Sequence, residues 1–137
     1  MRYLTQILFI AFCLTLPMAH VSAAQSGDTP AITVTTVPPW DTGGPNRMRP
    51  IAGTVTGPNC DCQLVIFAHG DIWYVQPWTT APYTAIKRDG SWSTTTHLGT
   101  EYAVFLVRKS YRPPAITRTL PRLSGDVLAM TRVPGRR

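Results

Sequence analysis

The sequence predicts an all-β domain, an immunoglobulin-like β-sandwich of seven to eight short antiparallel strands. Three observations carry this. Short β-branched or apolar runs recur with turn residues between them about every ten residues. Helical periodicity is absent over any useful window. Thirteen prolines and ten glycines in 137 residues leave little room for long helices.

The elements follow in order. Ile32-Thr33-Val34-Thr35-Thr36-Val37 alternates and is β-branched, and Pro38-Pro39 ends it. Residues 41–50 hold two glycines and two prolines and form a loop. Ile51-Ala52-Gly53-Thr54-Val55 is a short strand closed by Gly57-Pro58-Asn59. Residues 63–68 and 102–107 are apolar on both faces, which places these two strands centrally in a sheet. Ile72-Trp73-Tyr74-Val75 is a strand stopped by Pro77. Residues 83–87 and 91–96 flank Asp89-Gly90, the preferred centre of a tight hairpin because both residues tolerate positive φ. Pro113, Pro114 and Pro121 keep the next stretch irregular, and Val127-Leu128-Ala129-Met130 is the last strand.

At the N-terminus Arg2 precedes an apolar stretch centred on Ile7-Leu8-Phe9-Ile10, then Pro17 and small residues at Ser22-Ala23-Ala24. Positive start, apolar middle and small-residue end make residues 1–24 a secretory signal peptide. The apolar stretch falls short of the roughly 20 residues of a spanning helix, so no stable transmembrane anchor is expected after cleavage. Residues 25–30 are a flexible lead-in, and residues 31–137 form one domain. The length excludes a two-domain nucleotide-binding enzyme. With 44% hydrophobic and 15% charged residues the chain builds a core and is not a disordered tail.

The run Trp73-Tyr74-Val75-Gln76-Pro77-Trp78 is followed by Ile86, Asp89-Gly90, Trp92, His97, Gly99, Tyr102, Tyr111-Arg112-Pro113-Pro114 and Gly125-Asp126-Val127. This array, over residues 51–133, resembles a small β-sandwich module of secreted bacterial proteins, of the kind found beside extracellular carbohydrate-active enzymes and adhesion-type repeats. The resemblance implies a non-catalytic extracytoplasmic module that binds carbohydrate. Cys60-Asp61-Cys62 departs from the pattern, as does the lack of an enzyme in the same chain.

The residues themselves point the same way. Aromatic faces stack on the C–H surfaces of sugars, and a neighbouring amide binds hydroxyls. Trp73, Tyr74, Gln76, Trp78 and Tyr83 are therefore the candidate ligand-binding residues. In an extended strand Trp73 and Val75 share one face, and Tyr74 and Gln76 the other. Trp92 reads as a core pin between the sheets, and Trp73 also fits that role. Trp78 and Tyr83, in a proline-interrupted loop, are the better ligand candidates, and the same rings also suit a protein partner.

His69, Asp71, His97 and Glu101 are the only ingredients for metal or acid–base chemistry, and their spacing fixes no third ligand. No carboxylate pair, nucleophile elbow or Cys–His pattern stands out, so no catalytic residue, metal or cofactor is assigned; a small metal-binding or redox protein using His69, Asp71 and the cysteine pair is the third alternative, after the binding and envelope-interaction modules. Cys60 and Cys62 pair with each other, link two chains or stay reduced; in an oxidising compartment a turn-stapling disulfide is the plainest of these.

Charge is uneven. Residues 25–107 carry four basic and six acidic side chains, and residues 108–137 eight basic and one acidic. Arg108, Lys109, Arg112, Arg118 and Arg122 are the candidate electrostatic residues, suited to carboxylates and phosphates. The expected partner is a glycan or an anionic envelope polymer, or else a protein of the envelope. Export and the lack of a recognition motif exclude nucleic acid.

Overall fold

A computed structural model describes residues 29–57 and 60–137. The signal segment, the start of the lead-in, Pro58 and Asn59 lie outside the described residues. The described chain is all-β, with nine strands: β1 (Ala31–Thr36), β2 (Met48–Thr56), β3 (Cys62–His69), β4 (Trp73–Gln76), β5 (Tyr83–Thr84), β6 (Ser91–His97), β7 (Glu101–Arg108), β8 (Ile116–Thr117) and β9 (Val127–Pro134). They form two antiparallel sheets. The smaller has the order β1-β2-β6. The larger has the order β8-β4-β3-β7-β9, with β5 continuing along the same edge of β3 as β4.

β3 and β7 are central, as their two-sided apolar pattern predicts, and pair from Cys62↔Arg108 to His69↔Glu101. Alternation sends their side chains into two cores. Leu64, Ile66 and Ala68 with Tyr102, Val104 and Leu106 face Ile51 and Trp92 of the smaller sheet. Val65 and Phe67 with Ala103, Phe105 and Val107 face the other way and pack with Trp73, Val75 and Val127. Phe67 and Phe105 meet edge to face at 5.7 Å and 85°. Each such ring stabilises by about 1.5–3 kcal/mol through burial alone. Residues 109–126 cover this outer face: they leave the end of β7, reach β4 through β8, and return beside β7 as β9, with Tyr111 and Leu120 partly buried on the way.

Trp92 is a pin between the sheets, as expected; its indole N–H is buried with no partner among the described residues. Trp73 is not. It is 6% exposed, but in the outer core, because its register partner His69 shares a face with Phe67. Three further expectations need correction. β2 begins at Met48, within the expected loop. Pro50 fits there because β1 reaches only Ala52, leaving β2 a partner on one side. The last strand runs on to Pro134. Finally, Asp89-Gly90 makes a turn but no hairpin. β5 pairs with β3 in the larger sheet and β6 with β2 in the smaller, so the turn passes the chain between sheets.

Only Gly90 has positive φ there, +83°. Its N–H donates to the Lys87 carbonyl at 2.9 Å, and a Cβ would come within 2.4 Å of the Val55 carbonyl oxygen. The Asp89 carboxylate accepts from the Ser91 hydroxyl at 2.6 Å and the Ser91 N–H at 2.9 Å. Those bonds, the hydroxyl first, hold its pKa below the usual carboxylate value. A folded pKa below the unfolded one gives stability that is complete above about pH 3.9 and is lost as pH falls through the folded value. Thermal melts between roughly pH 4 and pH 3 are therefore expected to drop faster for the native protein than for Asp89→Asn.

Candidate functional site

β4 pairs with β3 down to Gln76↔Ile66, and β5 resumes at Tyr83↔Val65. Residues 77–82 thus leave the sheet between two adjacent positions of β3. They follow a cis Gln76–Pro77 peptide and close in a turn in which the Ala81 N–H donates to the Trp78 carbonyl at 3.1 Å. The excursion leaves Trp78 51% exposed, edge-on to the His97 ring at 4.8 Å.

Gln76 is 3% exposed and joins the two sheets. Its Oε1 accepts from the His97 backbone N–H and from His97 Nδ1, both at 2.9 Å, while Nε2 donates to the Tyr74 carbonyl at 3.1 Å. A backbone N–H only donates, so the amide orientation is fixed and His97 Nδ1 carries a proton. Neutral His97 therefore keeps Nε2 as an acceptor.

Tyr74 lies on the same face of β4, opposite Ala68, and is 40% exposed. A Cβ at Gly70 would sit 3.7 Å from its ring. Its hydroxyl donates to Asp71 Oδ1 at 2.9 Å, and the Ile72 N–H donates to the same oxygen at 3.0 Å. The phenol hydrogen bond is the main cause that lowers the Asp71 pKa, and the carboxylate in turn raises that of Tyr74. The loop after Asp41 forms the opposite wall. It is tied down by the Gly43 N–H on Asp41 Oδ1 at 3.1 Å and by the Arg47–Asp41 ion pair. Together these groups enclose a cleft of about 450 Å³, lined by Gly43, Asp71, Tyr74, Gln76, Trp78 and His97 among others.

Of the five expected ligand residues, Tyr74, Gln76 and Trp78 line this cleft. Trp73 is buried on the far side of the sheet, out of reach of a ligand in the cleft. Tyr83, opposite Val65, also faces the outer core, and its hydroxyl donates to the Tyr111 carbonyl at 2.8 Å. Asp71 and His97 join the aromatic residues rather than forming a metal set. His69 and Glu101 face the outer side. There the His69 ring packs on Trp73 at 4.6 Å, and Glu101 takes a two-pronged contact from Arg132, both bonds 2.8 Å. Among the described residues, no three His, Cys, Asp or Glu side chains gather in a way that would hold a metal.

The basic residues do not gather at the cleft. All five are exposed. Arg108 pairs with Cys62, seven residues along β3 from His69, which puts it about 23 Å from the cleft end of the strand. Lys109 is near it, 3.4 Å from Asp61, and Arg112 donates to the Lys109 carbonyl at 3.0 Å. Arg122 belongs to the outer covering segment. Arg118 alone follows β8 toward the start of β4, one residue past Thr117↔Trp73. Cys60 and Cys62, a close pair with Cα atoms 5.3 Å apart, sit at the Arg108 end.

Sequence reasoning passed over one exposed ring. Trp40, 41% exposed, lines a shallow open depression with Thr100, Arg136 and Arg137, but Arg137 already lies 5.8 Å over it. Comparison with protein-family models, with curated proteins and with solved structures gives no match to the chain.

Proposed function

We propose that this domain is a non-catalytic, exported binding module that holds a glycan in the cleft between β4, β6 and the loop after Asp41. One observation carries the reading: Tyr74 and Trp78 are both exposed and line one cleft with the polar side chains of Asp71, Gln76 and His97 among others. Rings stack on sugar faces while the polar groups meet hydroxyls. The signal-like residues 1–24 and the resemblance of the Trp73–Trp78 run to modules beside carbohydrate-active enzymes support the same reading. So does the cleft lining, which among the described residues holds one carboxylate where glycoside hydrolysis uses a pair. An anionic envelope polymer fits the Arg108, Lys109 and Arg112 end instead, as a separate contact. A protein-interaction role draws on Ile116 and Leu123, 53% and 59% exposed on β8 and the covering segment.

Trp78→Ala tests the glycan reading. Retention on a polysaccharide column is expected to fall about tenfold or more, as for a central aromatic anchor. The melting temperature should stay nearly constant, because Trp78 is half exposed. Unchanged retention would remove the cleft from consideration.

A further inference from the structure

The cleft has a chemical bias that the charge of the chain conceals. The chain carries a formal net charge of +6, yet among the described residues no lysine or arginine lines the cleft, and with neutral histidine Asp71 is the one formal charge in that lining. Oδ1 of Asp71 is filled by the Tyr74 hydroxyl and the Ile72 N–H; no hydrogen bond from the described residues occupies Oδ2. The Tyr74 proton is committed to Asp71, so the phenol oxygen offers only a lone pair outward. His97 Nδ1 is committed to Gln76, which leaves Nε2 as an acceptor. Gln76 Oε1 already accepts twice. What Asp71, Tyr74, His97 and Trp78 leave for a ligand is one carboxylate oxygen, two neutral acceptors and two exposed rings. The side-chain donors of the lining, the Trp78 indole N–H, the second amide hydrogen of Gln76 and the hydroxyls of Thr42 and Thr79, are all neutral.

An arrangement of a carboxylate beside aromatic rings attracts cations through charge and ring quadrupole together. It repels carboxylates, phosphates and sulfates. Arg108, Lys109 and Arg112 act beyond the screening length of about 8 Å. Arg118 is nearer, beside the start of β4, but it is exposed and is not part of the cleft lining.

Building on the glycan reading, we infer that the cleft selects sugars carrying a free amine. The ammonium of a deacetylated hexosamine sits against Asp71 and the ring faces of Tyr74 and Trp78, and the sugar ring stacks on the aromatic surface that remains. A neutral N-acetyl sugar keeps the stacking and loses the ion pair. An acidic sugar meets Asp71 with like charge.

The test is calorimetric titration of the purified protein with glucosamine trisaccharide, N-acetylglucosamine trisaccharide and tetramethylammonium. A buffer near pH 7, above the ordinary histidine value of about 6.5, keeps Asp71 ionised and a large share of the sugar amine protonated. The free-amine sugar is expected to bind about tenfold tighter than the acetylated one, the scale of one partly screened ion pair plus a cation–π contact. Asp71→Asn, which keeps an acceptor for Tyr74, should abolish that preference by weakening the free-amine sugar more than the acetylated one, so that the two bind alike. Equal binding of the two sugars, or a preference that survives Asp71→Asn, overturns the inference and keeps the glycan reading. Binding of tetramethylammonium with neither sugar bound overturns both.

Discussion

Trp73→Ala is expected to destabilise the domain by about 3–5 kcal/mol, the usual range for deleting a large buried aromatic side chain. The ring is 6% exposed and belongs to the outer core with Val65, Phe67 and Phe105. The His69 ring lies against it at 4.6 Å, and the Arg132 guanidinium stands over it at 5.4 Å, held there by Glu101. Truncation leaves a cavity under residues 109–126 and removes the seat of that guanidinium. In denaturant titrations the midpoint should fall with little change in slope, and the folded fraction should keep its affinity for glycan. Loss of binding at unchanged stability would place Trp73 at the ligand and contradict its burial. The contrast with Trp78→Ala is the point of the pair: two indoles five residues apart, with opposite effects on stability and binding.

Gly53→Ala is the second large effect, and it comes from space alone. A Cβ at Gly53 would stand 1.9 Å from the Thr33 carbonyl oxygen and 2.8 Å from Cζ2 of Trp92. The first obstacle is the backbone of β1, and the second is the ring that pins the two sheets together. Relief requires β1 to leave β2 or Trp92 to leave its place, so the cost is expected at or above the top of the overpacking range, about 3 kcal/mol. Gly125→Ala is the matched control. Nothing lies within 4 Å of its Cβ position, and only its φ of +56° opposes a side chain, at a cost of about 1–2 kcal/mol. Melting temperatures of the two variants should differ by roughly 5 °C or more. Equal losses would mean that β1 yields freely at Gly53.

Strands with a strong local pattern were legible in the sequence. β3 and β7 show themselves by apolar residues on both faces, and the split of Trp73 from Tyr74 follows from strand alternation. What stayed hidden depends on where the chain goes next. Trp73 is buried because residues 109–126 fold over the outer face, and a proline-rich irregular segment carries no periodicity that states its destination. Tyr83-Thr84 and Ser91-Trp92 read as two arms of a hairpin, yet they belong to different sheets. The Asp89-Gly90 signal fixes a turn but not the partners of its flanks. An amide in a strand suggests solvent, but Gln76 is buried because His97, 21 residues away, presents it with two donors. The basic side chains share residues 108–137, but Arg108 pairs with Cys62 at one end of β7 while Arg132 pairs with Ala103, toward the other.

The central claim is that ligand enters between Tyr74 and Trp78. Its most direct test is a ¹H–¹⁵N NMR titration of the protein with the two trisaccharides, following the four indole N–H signals. The Trp78 signal is expected to move saturably with ligand, together with the backbone of Asp71, Tyr74 and His97, while the Trp73 and Trp92 signals stay in place. Saturable shifts confined to Trp40 and Arg137, or to Arg108 and Lys109, would contradict the claim and put the site elsewhere.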